Sequence, residues 1–221
     1  MKMLANDAHV LAEDDLRRRV KRELRKRARG IRKATPAEAC AERSRLIIEH
    51  LGEVPALKSA RSVALFWPML DRHEVDLRTL DEALRGRGAR VAYPSIDADS
   101  EERRMSFHFV GDTAELIERG HGFAEPPDGA TAIAHDLLEL DVVVVPGLAM
   151  DPTGHRIGYG AGYYDGALAG TSVVKIGVIF DFELVTEVPA TDGDVRVDWV
   201  VTDRRTVVVS TTHYGEPPCP T

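Results

Sequence analysis

The sequence predicts a three-layer α/β/α sandwich built on a mostly parallel sheet, and three observations carry that prediction. An apolar run, SVALFW (62–67), is followed by a helical pattern and then a second run, ARVAYP (89–94), the order of a parallel strand–helix–strand unit. DVVVVPG (141–147) sets four valines in a row, the pattern of a strand covered on both faces. The chain's 221 residues, 43% of them hydrophobic, suffice for one sizeable α/β domain, and no apolar run approaches the ~18 residues of a membrane span.

In chain order, residues 1–13 read as a loose leader, acidic and without the basic start and apolar core of a signal peptide. Residues 14–33 read as a helix with an apolar stripe of Leu16, Val20, Leu24 and Ile31, weakened near its end by Gly30. Thr35-Pro36-Ala37-Glu38 predicts a second helix start, with Thr35 as N-cap and Glu38 closing a capping box, and that helix runs to about Leu51. Asp76 is placed to cap a helix over 77–86. Further strands are expected at MSFHFV (105–110), VVKIGVIF (173–180), WVVTD and TVVVS. One domain over 14–210 is expected, with flexible termini at 1–13 and 211–221. Cys40 and Cys219 lie far apart and have no metal-ligand spacing, which argues against a zinc site and a disulfide framework and for a cytoplasmic protein.

The net charge of −7 hides a segregation. Residues 17–33 carry eleven Lys or Arg against one Glu, a balance of +10, so the other 204 residues sum to −17. Such segregation marks an anion site or a nucleic-acid-binding helix. The acidic remainder would repel a phosphate backbone, so a small anion is favoured. Lys21 and Arg25 lie four apart on one face, bordering the apolar stripe, where their side chains can reach a site at the protein's edge. For most of Arg18, Arg22, Arg29 and Arg32 a solvated face is the favoured reading.

RIGYGAGYYDGAL (156–168) follows the valine strand, where open α/β sheets hold ligands. Gly158, Gly160 and Gly162 let the backbone approach a ligand and turn N–H groups toward an anion, and a helix is expected to start near Gly162 and Tyr163. The G-x-G-x-G spacing, eleven residues beyond Pro146, fits neither the dinucleotide fingerprint nor the P-loop. A plain glycine-rich connection is the competing reading, and Tyr163, Tyr164 and Asp165 weigh against it. Asp165 and Asp194 are candidates for Mg²⁺, which takes one or two carboxylates together with phosphates, although a helix cap or turn role is open to each. Glu74 and Trp67, just past the first strand, are placed for a polar contact and a stacking surface, and a buried aromatic is an equal reading of Trp67. His121 and His155 stand alone and read as structural.

Together these residues resemble the 5-formyltetrahydrofolate cyclo-ligase family. The most specific match is VVVVPGLAMDPTGHRIGYGAGYYD (142–165); Lys21-x-x-Leu24-Arg25, FWPMLDRHEVD (66–76) and GFAEP (122–126) follow the family's order more loosely, and the whole covers roughly 20–205. The resemblance implies a Rossmann-like sheet of the NagB/RpiA/CoA-transferase-like fold. It implies ATP- and Mg²⁺-dependent conversion of 5-formyltetrahydrofolate to 5,10-methenyltetrahydrofolate through a phosphorylated formyl group. ATP would be bound by Lys21, Arg25, Arg156, Ile157, Gly158, Tyr159, Gly160, Ala161, Gly162, Tyr163 and Tyr164. The reduced folate would be bound by Trp67, Glu74 and Tyr163, and Mg²⁺ by Asp165 and Asp194, with Arg156 and Tyr163 acting on the reacting groups. No nucleic acid or membrane partner is implied; a monomer is expected, with a dimer left open. The chain departs from the family's usual residues at Ala161 (Lys or Gly in many members), Glu183 (Gln) and Gly193 (His). A family-like protein that binds a nucleotide or another phosphorylated metabolite without closing the folate ring is the alternative, and a nucleic-acid-binding protein is the more distant one.

Overall fold

A computed structural model describes residues 2–97, 104–120 and 122–209, with side chains from residue 13 onward. His121, Cys219 and the 211–221 tail lie outside the described residues. The helices are α1 (Lys2–Ala34), α2 (Ala37–Glu53), α3 (Pro55–Ser59), α4 (Arg78–Gly86) and α5 (Tyr163–Leu168). The strands are β1 (Ser62–Ala64), β2 (Arg90–Ile96), β3 (Met105–Phe109), β4 (Ile117–Glu118), β5 (Ala124–Glu125), β6 (Val142–Pro146), β7 (Ala149–Met150), β8 (Arg156–Ile157), β9 (Val174–Val178), β10 (Trp199–Val201) and β11 (Thr206–Val208).

Seven strands form one sheet in the order β11-β10-β9-β6-β1-β2-β3. The five inner strands run parallel, and the two edge strands β3 and β11 are antiparallel to their neighbours. β6, the valine strand, is central, which is why it has no polar face. Its side chains alternate between two apolar layers: Val142 and Val144 join one cluster with Val63, Leu65, Val91 and Ile176, while Val143 and Val145 join another with Ala64, Ala92, Phe107 and Val200. The first layer is closed by α2, α3 and α4 through Ile47, Leu51, Leu57, Leu80 and Leu84. The second is closed by the short α5 and by irregular chain carrying Ile133, Leu137 and Leu140. The sandwich is therefore heavier on one side. Among the described residues no helix is long and apolar enough to cross a membrane.

Three sequence expectations are corrected here. α1 begins at Lys2, so the stretch read as a loose leader continues the helix. Most of the apolar stripe of α1 does not face the body: Leu16 is 61% exposed, and Val20 and Ile31 are 37% exposed, whereas Leu24 alone of the four packs on a buried cluster and Lys21, Ala28 and Arg32 are buried. The surface under α1 is mixed: Ala28 and Leu24 pack on a small apolar cluster with Leu148, Ala149, Ile157 and Val188, and beside it polar side chains with distant partners take the inner face. Thr35 does not cap α2; its hydroxyl donates back to the carbonyl of Ile31 at 2.9 Å, and the Pro36 carbonyl accepts the N–H of Cys40.

Candidate functional site

A cavity of about 890 Å³ opens beyond the carboxyl ends of the parallel strands, with α1 laid along one side. Chain leaving β1 supplies Phe66, Trp67, Met69, Arg72 and Glu74; β2 and β3 supply Pro94, Ile96 and Met105; β6 supplies Pro146; and β8 with the loop after it supplies Arg156 and all of residues 158–165, but not Ile157. The β1–β2–β3 side is therefore mainly apolar and aromatic, joined by Phe123, with Arg72 and Glu74 as its charged members. The side built by α1 and the post-β8 loop is polar and rich in cations: Arg18, Arg19, Lys21, Arg22 and Arg25 all line it.

The loop is aimed by α1. Arg25 Nε donates to the carbonyl of Gly158 at 3.0 Å, and Arg29 Nη2 donates to the carbonyl of Tyr159 at 3.4 Å. A trans peptide sets its N–H opposite its C=O, so the N–H groups of Tyr159 and Gly160 point away from those guanidinium groups. None of the N–H groups from Gly158 to Gly162 meets an acceptor among the described residues. Such a run of unpaired donors suits an anion. The conformation depends on glycine at Gly160 (φ 107°) and at Gly162 (φ 80°), which precedes α5. Arg25 is held below the ordinary arginine range, first by burial and then by Arg29, with Asp194 opposing.

Two ion pairs bring cations and carboxylates together in the cavity. Lys21 Nζ donates to Asp194 Oδ2 at 2.5 Å and to Thr191 Oγ1 at 2.7 Å; Arg156 Nη2 donates to Asp165 Oδ1 at 2.7 Å. Asp165 Oδ1 also accepts the N–H of Val195, the residue after Asp194, so the two carboxylates belong to one junction. Burial works to raise the Asp194 carboxyl, but Lys21 and the Thr191 donors outweigh it and hold it low. No described donor reaches Asp165 Oδ2 or Asp194 Oδ1. Among the described residues no three acidic, His or Cys side chains cluster as a metal cage. Two carboxylates with a free oxygen each, beside a phosphate-ready loop, are the donor set that Mg²⁺ uses when phosphates and waters complete its shell, so the residues present fit that ion.

On the other side, Glu74 is 5% exposed, accepts the N–H of Met69 at 2.9 Å and the Tyr159 hydroxyl at 2.7 Å. Burial pushes its carboxyl up despite those donors and Arg32 and Arg72 nearby. The Tyr159 and Tyr164 hydroxyls are pushed up as well, chiefly by burial, and so stay protonated near neutrality. Trp67 sits edge-on to Tyr93, ring centroids 6.0 Å apart.

The cavity thus gathers Lys21, Arg25, Trp67, Glu74, Arg156, Gly158, Tyr159, Gly160, Ala161, Gly162, Tyr163, Tyr164, Asp165 and Asp194. Ile157 is not among them. β8 pairs with β7, so its two side chains take opposite faces. Arg156 faces the cavity, while Ile157 is buried with Ala28, Leu148 and Val188. His155 hydrogen-bonds Thr153 beside Asp151 and lies outside the cavity lining. Arg18 and Arg22, read as solvated, line the cavity; Arg72 lay inside the quoted FWPMLDRHEVD without being singled out, and Thr191 had no signal beyond standing three residues before Asp194. Arg32, also read as solvated, is 3% exposed and forms a fork with Glu183 at 2.7 and 2.8 Å while donating to the Gly147 carbonyl at 2.7 Å. Glu183, a departure from the resembled family's pattern, is the buried partner that this arginine requires.

Comparison with known proteins gives a consistent picture. Residues 17–203 match the model of the 5-formyltetrahydrofolate cyclo-ligase family. A 5-formyltetrahydrofolate cyclo-ligase of Mycolicibacterium smegmatis is 33% identical over 168 residues, covering 71% of this chain and 85% of that protein. The Escherichia coli K12 protein of the same name is 28% identical over 174 residues, covering 77% and 93%. The solved structure of Aquifex aeolicus 5,10-methenyltetrahydrofolate synthetase superposes with a TM-score of 0.74 at 27% identity, covering 89% of this chain and 100% of that one.

Proposed function

The chain belongs to the 5-formyltetrahydrofolate cyclo-ligase family, and on that premise we propose that it converts 5-formyltetrahydrofolate and ATP to 5,10-methenyltetrahydrofolate, ADP and phosphate. The formyl oxygen is a poor leaving group. Moving the γ-phosphoryl group onto it makes the formyl carbon electrophilic, N10 attacks that carbon, and the oxygen departs as phosphate. Phosphoryl transfer asks a protein for positioning and charge neutralisation more than for a nucleophile.

The residues suit those tasks. The unpaired loop N–H groups, with Lys21, Arg25 and Arg156, receive phosphate oxygens. Asp165 and Asp194 hold Mg²⁺, which neutralises phosphate charge when bound. Trp67 and the apolar wall flank the pterin, and Glu74 and Tyr163 stand at its polar edge near the formyl group. The observation that carries the reading is the joining, in one cavity, of an amide loop without partners, a bank of cations and an aromatic wall. The test is the rise in near-ultraviolet absorbance of the methenyl product when purified protein meets 5-formyltetrahydrofolate, ATP and Mg²⁺. The absence of any ATP-dependent rise refutes the proposal.

A further inference from the structure

We propose that Tyr159 is a positioning residue for Glu74: it belongs to the loop whose backbone is turned to phosphate, yet its side chain sets the carboxylate on the folate side of the cavity. The inference rests on the reading above that Glu74 meets the reduced folate.

Tyr159 divides its work between backbone and side chain. Its carbonyl accepts from Arg29 Nη2 at 3.4 Å, and the trans peptide that follows turns the Gly160 N–H the other way. Its hydroxyl reaches a residue 85 positions distant in sequence and donates to Glu74 Oε1 at 2.7 Å. The ring that carries the hydroxyl is itself held. The guanidinium groups of Arg29 and Arg72 lie over it, 5.5 and 5.6 Å from its centroid, and it packs on the apolar cluster of Ala28, Leu148, Ala149, Ile157 and Val188.

Glu74 needs such an anchor. Its own loop supplies one donor, the Met69 N–H, at 2.9 Å from Oε2. The terminal torsion of a glutamate is broad, so a donor on one oxygen leaves the plane of the carboxylate loosely set. A second donor on the other oxygen fixes that plane. Each oxygen accepts more than one hydrogen bond, so the fixed carboxylate still has acceptor capacity for a ligand in the cavity it lines. The charged and titratable groups around it are Arg32, Arg72, Tyr159, Tyr164 and Glu183. Burial pushes the Glu74 carboxyl up, and Tyr159 stands with the Met69 N–H, Arg32 and Arg72 among the groups that oppose the rise.

The test is steady-state kinetics of the full chain carrying Tyr159→Phe, which keeps the ring and the loop N–H groups and loses only the hydroxyl. KM for 5-formyltetrahydrofolate should rise roughly tenfold, the low end of what a hydrogen bond to a charged group is worth, while KM for ATP stays within about twofold. The acid limb of kcat/KM for the folate, which reports the free enzyme, should move to higher pH, because the Glu74 carboxyl loses a donor and climbs. A merely loosened fold would raise both KM values and leave that limb in place. In Glu74→Gln the same Tyr159→Phe change should add little, since no carboxylate is left to set. Tyr159→Leu stands in if Tyr159→Phe fails to fold, and is judged by the acid limb and by its pairing with Glu74→Gln. An unchanged folate KM with an unmoved limb, a KM for ATP that rises as far as that for folate, or a full extra loss in the Glu74→Gln background overturns the inference while leaving the proposed activity standing. A parent with no ATP-dependent rise of the methenyl product overturns the proposed function itself, and this inference with it.

Discussion

Arg32→Met tests how α1 is fastened to the body. The guanidinium forms two bonds to Glu183 and one to the Gly147 carbonyl, and the two side chains are 4% and 1% exposed. Removing it leaves a carboxylate in the interior with a single described donor, the N–H of Phe180 at 3.1 Å. Breaking a buried pair from one side costs about 3–5 kcal/mol. With a urea slope of about 1–3 kcal/mol per molar, the unfolding midpoint should fall by roughly 1–5 M, read from tryptophan fluorescence. Arg32→Met/Glu183→Gln keeps the acceptor for Phe180 without the charge and should recover a clear part of the loss. The pH dependence has a definite sign. Burial already pushes the Glu183 carboxyl up, and Arg32 opposes that rise; without Arg32 it climbs further. A raised folded value contributes stability below the unfolded value, about 4.3, and loses it as pH rises through the folded one. The deficit of the single variant should therefore shrink on acidification. Because α1 also carries Lys21 and Arg25, the KM for ATP should rise as well. A single variant within about 1 kcal/mol of the parent, or a double variant no better than the single, refutes the reasoning.

Further outcomes follow from the same geometry. Lys21→Ala should weaken ATP binding about ten- to a hundredfold with the circular-dichroism spectrum unchanged; a variant that unfolds makes Lys21 a structural residue instead. Asp165→Asn should shift the Mg²⁺ requirement upward, and coincident Mg²⁺ titrations of variant and parent would remove Asp165 from the metal site. Asp194 is held low by Lys21 and Thr191 against its own burial, so it contributes stability above the ordinary aspartate value of about 3.9 that is lost as pH falls through its lower folded value. Asp194→Asn should flatten that part of the acid unfolding curve, and an unchanged acid slope would contradict the assignment.

The sheet was legible because its signals are local. SVALFW, DVVVVPG and VVKIGVIF each contain the strand they announced, and ARVAYP covers most of β2, which runs on to Ile96; the four valines were read as doubly covered because a central parallel strand has no other use for them. The two-residue strands β4, β5, β7 and β8 gave no such signal, since two residues cannot show a period. Missing the β7–β8 pair hid the alternation that sends Arg156 toward the cavity and Ile157 away from it.

The reading of α1 failed for a different reason, and that reason bears on the site. Apolar periodicity locates the inner face of a helix when the surface beneath it is oily. Beneath α1 lie the carbonyls of Gly147, Gly158 and Tyr159 and the carboxylates of Glu183 and Asp194, so the inner face is chosen by donors: Lys21, Arg25 and Arg32. Their partners are 115 to 173 residues away in sequence, outside any helical window. The charge segregation was visible and pointed to an anion, but it could not say which of eleven cations turn inward. The same long-range pairing makes the outer residues Leu16 and Val20 poor guides and the inner arginines good ones. A helix whose buried face is cationic can stay docked only where carboxylates and carbonyls receive it, and the chain supplies them at the ends of β6 and β8, around Thr191–Asp194 and at Glu183. The anion site and the seat of α1 are therefore one construction, and a substitution such as Arg32→Met that loosens the helix should weaken phosphate binding without touching a phosphate.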